Sequence, residues 1–392
     1  MKYKICLLWI ICCMLTGCWS SNELNSLGLA SAIAIDKQNN NYRLTVQTIN
    51  PDEVAEQNRT SRTAVTTYSA TEETIFEALR KLTEITPRKI YVAHLRIFVV
   101  SEEIAKEGIN DVLDFISRDH ELRTDFAIIV STEDDAKSVL EIVAPLENIA
   151  ADKLLSSIET AQNAWGSVQA TYLDQLVEDI LSEGKHPVLS GVAIKGNKEI
   201  GNQIDNVEQV RPTANLEYVG LAGFKKDKLM GWLDIDESMG YNFIADNINS
   251  TVFSIPCDEG KTVLEVLSNE TKLTGKIQNG IPNINIHVET AVNIGETNCA
   301  IETTKLEYIK QLEKEASVYL ENLMKSSINA AKNELQSDIF GFGSVIHRSD
   351  KKGWNKVKTT WDELFLETEE KFNIKIIVRG TGTIEDPLQS ES

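Results

Sequence analysis

The chain has 392 residues with 39 Lys+Arg against 59 Asp+Glu, a formal charge of −20. Such an acidic chain lacks the basic surface that nucleic acid or anionic lipid headgroups demand. A hydrophobic content of 42% without a low-complexity tract excludes a disordered spacer, and the length suits two or three domains of about 100 to 200 residues.

The first predicted element is an export signal. Lys2 and Lys4 form a positive start, and Ile5 to Leu15 form an unbroken apolar run of eleven residues. A bilayer core needs roughly 20 apolar residues, whereas a secretory apolar region needs about 7 to 15 behind basic residues. Leu15, Thr16 and Gly17 followed by Cys18 resemble the lipobox of bacterial lipoproteins. That resemblance implies a diacylglyceryl group on the Cys18 thiol, cleavage before Cys18, and N-acylation as a further step. An ordinary signal peptide with an incidental Cys18 is the alternative. Removing residues 1–17 takes Lys2 and Lys4 away and moves the charge from −20 to −22, so membrane attachment falls to the lipid. Two acyl chains, at about 0.8 kcal/mol per buried methylene, supply a stable anchor where one does not.

Of six cysteines, Cys6, Cys12 and Cys13 leave with the signal and Cys18 takes the lipid. Cys257 and Cys299 remain, either as one disulfide in an oxidising compartment or as two free thiols, and free thiols are the preferred reading.

Residues 18–186 read as an N-terminal α/β-type domain. Gly28 to Asp36 and Tyr42 to Ile49 flank the turn-rich Lys37 to Asn41 and predict a hairpin. Ser69-x-x-Glu72 fits a capping box, and Ile75, Phe76, Leu79 and Leu82 recur at helical spacing. Pro87 stops that helix. Ile90 to Val100 reads as one buried strand, Ile104 to Ile116 as a helix, Phe126 to Val130 as a strand, and Ala136 to Val143 and Leu173 to Leu181 as helices. Strands separated by helices argue for a mixed sheet with helices packed on it, ended here by the breaker Gly184-Lys185-His186-Pro187.

Residues 187–247 read as a small β-rich middle domain, with strands at Val188 to Ile194, Ala214 to Phe224 and Leu229 to Leu233. Residues 248–385 read as an α+β domain with a long helix, followed by a tail at 386–392. Ile284, Ile286 and Val288 alternate with polar residues as in a half-buried strand. A capping box at Thr304-x-x-Glu307 opens the long helix, whose stripe of Leu306, Ile309, Leu312, Ala316, Leu320, Leu323 and Leu335 suits a helix lying across a sheet. Unsustained heptads disfavour a coiled coil. Phe372, Ile374, Ile376 and Val378 complete the sheet beneath it. The fold class is therefore α+β, with mixed sheets and packed helices in three domains.

No catalytic or metal-binding pattern stands out. His94, His120, His186, His287 and His347 form neither H-x-x-x-H nor H-E-x-x-H, and no nucleophile elbow or phosphate loop occurs. Phe340-Gly341-Phe342-Gly343 suits a tight turn that packs rings, and Asp134-Asp135 and Glu369-Glu370 suit solvated faces. Two clusters stand out instead. His94-Leu95-Arg96 places a basic pair inside a strand that should be buried, and Ser117 to Arg123 mixes both signs at a helix end. Arg118 or Arg123 forking onto Glu102, Glu103 or Asp119 gives an internal ion-pair network. The other reading of His94, Arg96, Arg118 and Arg123 is an anchoring surface for a protein partner. Trp354, Trp361 and Phe365 are either part of that surface or, as large rings usually are, core.

The same stretches resemble the Ger(x)C family, the C-subunit lipoproteins of nutrient germinant receptors in endospore-forming bacteria. The resemblance runs through Gly17-Cys18-Trp19, Glu23-Leu24, Gly28-Leu29, Ile33 to Asp36, His94-Leu95-Arg96, Glu103, Ala105, Gly108-Ile109 and Arg118 to Arg123. It continues at Gly223-Phe224-Lys225, Lys228-Leu229, Gly231-Trp232-Leu233 and Gly240. It closes at Asp338 to Gly343, Trp354, Trp361, Phe365 and Arg379 to Gly382. Ser20 stands where the family usually has aspartate, which leaves the anchor itself intact.

The resemblance implies a three-domain α+β lipoprotein on the outer face of the spore inner membrane, partnered by an A and a B receptor subunit, with no enzymatic activity, cofactor or metal. The expected function is a lipid-anchored, non-enzymatic subunit needed for nutrient-triggered germination. The alternative is a tethered extracytoplasmic small-ligand-binding protein or hydrolase, which would need a concave site with convergent polar groups.

Overall fold

The computed structural model describes residues 27–54, 63–147, 149–257, 260–299 and 305–380. The signal segment, the lipobox and Cys18 lie outside them. The described chain begins with β1 (Leu27–Gln38) and β2 (Asn41–Ile49), joined at Asn39 and Asn40, both in the left-handed region. This is the predicted hairpin, and asparagine suits its turn because it tolerates positive φ. Next come β3 (Val65–Glu72), α1 (Ile75–Lys81), β4 (Lys89–Tyr91), β5 (Ile97–Ser101), α2 (Glu102–Glu107), α3 (Asn110–Arg118) and β6 (Ala127–Ser131). Then follow α4 (Lys137–Glu141), α5 (Ala150–Ala164), α6 (Leu173–Leu181), β7 (Val188–Gly196), β8 (Ala214–Lys225) and β9 (Lys228–Leu233).

Among the described residues these nine strands form one sheet in the order β3-β2-β1-β5-β6-β7-β8-β9, with β4 beside the start of β1. The centre, β1-β5-β6-β7, is parallel, and antiparallel pairs close both sides. Buried on both faces, its core strands read as continuous apolar runs. Ile33, Ile35, Phe98, Val100, Ile128 and Val130 face α1, α2 and α3 on one side. Ala32, Ala34, Ile97, Val99 and Ile129 face α4 and α5 on the other. Successive residues alternate between the two layers, as a period of two requires.

Several expectations are corrected here. The strands read as a small middle domain, 187–247, extend the first sheet instead of forming their own. The Ile90 to Val100 segment is two short strands separated by a turn at residues 92–96, because β4 and β5 take different stretches of β1 as partner. The helix over Ile104 to Ile116 is two helices, broken at Gly108 with φ of 130°. The cap of α1 is Thr74, whose hydroxyl receives the Glu77 amide, while Ser69 lies within β3 and shares a hydrogen bond with Thr45. Helix α5 has no counterpart among the sequence expectations.

The C-terminal unit starts after α7 (Ile235–Ile244), which Asp234 and Glu237 open with a reciprocal capping box. Strands β10 (Val252–Cys257), β11 (Gly260–Gln278), β12 (Ile281–Thr297) and β13 (Glu369–Gly380) pair in chain order, antiparallel until β13 joins β12 in parallel. A parallel partner needs a long crossover. It is supplied by α8 (Leu306–Ala330), a π-helical turn at Ala331–Leu335, α9 (Phe342–Ser349), α10 (Lys351–Val357) and α11 (Trp361–Leu366). Helix α8 lays Leu312, Ala316, Leu320, Met324 and Ile328 on Leu264, Val266, Ile284 and Ile294 of the sheet, the predicted helix-on-sheet packing. It begins one residue after Lys305; Thr304 of the expected capping box lies outside the described residues.

Candidate docking surface and interdomain joint

Both basic clusters lie on the surface of the first unit. His94 and Arg96 occupy the turn between β4 and β5, where both are exposed while Leu95 between them is buried. The expected burial of this pair is therefore overturned: the ladder is interrupted there, so the two side chains point to water. His94 sits edge-on to Tyr91 at 5.9 Å, and Arg96 reaches Asp152 of α5 at 3.9 Å. Arg118 pairs with Asp114 one turn back on α3 at 2.8 Å, and Arg123 pairs with Asp125 at 3.0 Å. The expected network onto Glu102, Glu103 or Asp119 does not form. Glu102 instead accepts the Trp232 indole N–H at 2.8 Å and pairs with Lys106, while the Asp119 carboxylate receives the Glu121 amide. Isolated exposed pairs of this kind contribute about 0–1 kcal/mol each, so the cluster is not a structural brace.

The aromatic group takes the other of its two readings. Trp354 and Trp361 are 1% and 2% exposed and Phe365 is fully buried. The indoles meet edge to face with centroids 5.4 Å apart, and Phe342 leans on Phe365 at 6.2 Å.

This aromatic core is the inner wall of a joint between the two units. Asp338, fully buried ahead of α9, receives the amides of Phe342 at 3.0 Å and Gly343 at 2.8 Å and the Trp361 indole N–H at 3.0 Å. Burial pushes its carboxyl up to about 6, against the lowering effect of these donors. The Asp338 carbonyl takes the His186 amide at 2.8 Å, and the Ser344 amide donates to the Gly184 carbonyl at 3.0 Å. A Cβ on Gly343 would stand 2.7 Å from Gly184 Cα and from Trp361 Nε1, so no side chain fits there. Gly341 adopts φ of 74°, the conformation that glycine takes without steric cost.

Around this contact, Leu335 fills the hollow left by Gly223 and Gly231 at the β8–β9 edge, where a Cβ would come within 2.3 and 3.0 Å of its methyls. The Ser337 hydroxyl donates to the Phe224 carbonyl, and Lys225 pairs with Asp362 at 3.2 Å. His186 is buried with Nδ1 accepting the Lys226 amide at 3.2 Å and Nε2 3.6 Å from Asp362. Desolvation holds its imidazole below the usual histidine range. Gly240 lets α7 approach the Leu323 carbonyl of α8. The phenylalanine–glycine stretch is thus the predicted ring-packing turn. Asp338 and Gly184 were not singled out as joint residues from sequence. An aspartate followed directly by apolar Ile339 and Phe340 and a glycine-rich turn was the available signal.

Cys257 and Cys299 are joined by a disulfide, in place of the preferred free thiols. It ties the end of β10 to the chain just after β12, because Thr262 of β11 pairs with Thr297 and brings both cysteines to one corner. No group of three or more His, Cys, Asp or Glu residues that could hold a metal ion exists among the described residues. An open cleft of about 550 Å³ between α1 and α3 is lined by Tyr42, Phe76, Asp111, Asp114 and Arg118, which offer neither a nucleophile–base pair nor an oxyanion donor set. Among the described residues no helix is long and apolar enough to cross a membrane.

Two units fused through a glycine-lined joint define a mixed α+β protein of two sheets with helices packed on them. Residues 20–194 match the model of the spore germination protein N-terminal domain, and residues 219–382 match that of the spore germination B3/GerAC-like C-terminal domain. The chain is 31% identical to spore germination protein KC of Bacillus subtilis (strain 168), over 96% of this chain and 95% of that one. It is 24% identical to spore germination protein B3 of the same organism, over 97% and 98%. The crystal structure of the GerBC protein shares the fold, with a TM-score of 0.56 at 21% identity, covering 88% of this chain and 96% of that one. The chain belongs to the Ger(x)C family of spore germination proteins.

Proposed function

We propose that this protein is the lipid-anchored, non-enzymatic C subunit of a nutrient germinant receptor, held by Cys18 on the outer face of the spore inner membrane and docked on A and B subunits. Its similarity to proteins named for spore germination along nearly its whole length carries the reading. One further observation supports it. The residues of the family resemblance in the second half build the joint, which fixes the relative placement of the two units. A tether confines such a subunit to two dimensions and raises its effective concentration beside its partners.

Cys18→Ala in the spore-forming host tests the reading. The variant should leave the membrane fraction and lose the nutrient response while a non-nutrient trigger still works. A strain lacking the gene that germinates normally on every nutrient, with no homologue to compensate, would overturn it.

A further inference from the structure

Strand register brings four chain segments to one end of the first sheet. Leu27 pairs with Lys89, Ala30 with Thr48, and Ile49 with Val65, so the starts of β1, β3 and β4 and the end of β2 lie together. The hairpin tip Asn39–Asn40 is at the opposite end. Two aliphatic side chains stand exposed at the near end: Val54, 46% exposed, on the helical turn after β2, and Ile85, 54% exposed, in the link before β4. Their chain neighbours line one cleft of about 320 Å³, to which the first segment contributes Pro51 and Glu53 and the second Pro87 and Arg88.

Among the described residues, three basic side chains at this end are paired with acids. Lys89 pairs with Glu121, Arg96 with Asp152 and Arg123 with Asp125, on a chain whose overall charge is −20. Each of these pairs is neutral as a whole and does not repel a phospholipid surface.

The N-terminal tether selects among faces. Leu27 is nine residues beyond Cys18, and nine residues reach about 30 Å at full extension. Twelve-residue β1 spans about 40 Å. A molecule standing on the Asn39–Asn40 tip would hold Leu27 higher above the bilayer than the tether reaches.

We infer that the Leu27 end of the sheet is the face that rests on the bilayer, with Val54 and Ile85 entering the boundary between headgroups and acyl chains. Arg88 lies beside them with an aliphatic stem for the boundary and a guanidinium for the headgroup layer. The inference rests on the Cys18 anchor of the proposed function and adds the orientation that the anchor imposes. The basic turn at His94 and Arg96 then lies near the membrane, where membrane-embedded partners meet the protein.

The test supplies the tether artificially, so that it does not depend on Cys18 being acylated. The mature chain from residue 19, led by a hexahistidine tag, is bound to phosphatidylcholine vesicles containing a nickel-chelating lipid. Single reporters are introduced as V54C, I85C or N40C and labelled with a polarity-sensitive fluorophore; Cys257 and Cys299 are bonded to each other and do not label. Labels at 54 and 85 should shift to shorter wavelength and be quenched by a lipid-borne quencher, whereas the label at 40 should do neither. In a V54D/I85D background an H94C reporter should lose its quenching. Equal quenching at 40, 54 and 85, or none at 54 and 85 on vesicle-bound protein, would overturn the inference and leave this face to a protein partner. Release of C18A from spore membranes reports separately on the anchor.

Discussion

The indole nitrogen of Trp361 donates to the Asp338 carboxylate at 3.0 Å, and the oxygen it reaches also takes the Gly343 amide at 2.8 Å. One buried oxygen therefore holds two helices, α9 and α11, to the turn that meets the first unit.

Trp361→Phe keeps most of the ring and removes the donor, which should cost about 1–2 kcal/mol. Trp361→Ala also opens a cavity and should cost about 3–5 kcal/mol. Urea unfolding measures both. A Trp361→Phe variant as stable as the wild type would remove the hydrogen bond from the explanation and leave only ring packing.

Gly343→Ala places a methyl 2.7 Å from Gly184 Cα, and neither backbone can yield without parting the units. It should lower stability by about 1–3 kcal/mol, the ordinary cost of overpacking. Gly295→Ala is the control, since its nearest neighbour would be the Val263 carbonyl at 3.8 Å. The contrast is read in thermal unfolding midpoints.

Removing the Cys257–Cys299 bond, which spans 42 residues, should destabilise the C-terminal unit by about 2–4 kcal/mol. A Cys257→Ser/Cys299→Ser chain should melt where the reduced wild type melts and ignore added reductant. A wild type indifferent to reductant would show the bridge to be dispensable.

His186 gives the joint a pH dependence of definite sign. Only the unprotonated Nδ1 accepts the Lys226 amide, and burial holds the folded-state pKa below the free value of 6.5. As pH falls through that value the unfolded chain takes the proton first, so stability drops from there toward the lower folded pKa and is fully retained above it. His186→Asn should flatten that part of the stability–pH curve. An unchanged slope would place the titration elsewhere.

Arg118→Ala/Arg123→Ala removes two exposed ion pairs and should change stability by less than about 1 kcal/mol. If this surface docks a receptor subunit, the folded variant should germinate poorly on nutrients. Co-purification with the A and B subunits from spore membranes separates a docking defect from a folding one.

Periodicity located most of the elements, because amphipathic runs such as Leu312 to Leu323 and the alternation of Ile284 to Val288 report burial directly. It failed where pairing decides. Nothing local to Val188 to Leu233 says that these strands join a sheet begun at Leu27, and nothing near Ile90 says that β1 divides its edge between two partners. Helix α5 escaped because Ala150, Ala151, Leu154 and Ile158 make a thin stripe against a polar remainder. At the joint, the glycines were visible but their use was not. Gly184 and Gly343 are far apart in sequence, and only the folded backbone shows that each excludes a side chain from the other. For the basic clusters, composition marked the residues, and their exposed local pairs show only that they form no internal network.

The parallel placement of β13 beside β12 bears on how the protein is made. A chain synthesised N-terminus first delivers the long β11–β12 hairpin before the strand that covers its open side, which follows only after four helices. Non-local pairings of this kind form slowly and leave adhesive backbone uncovered meanwhile. The C-terminal unit can reach its final form only once β13 has been made, so until then the nascent chain is open to proteases and to self-association at the β12 edge, and any truncation before residue 369 makes that vulnerability permanent.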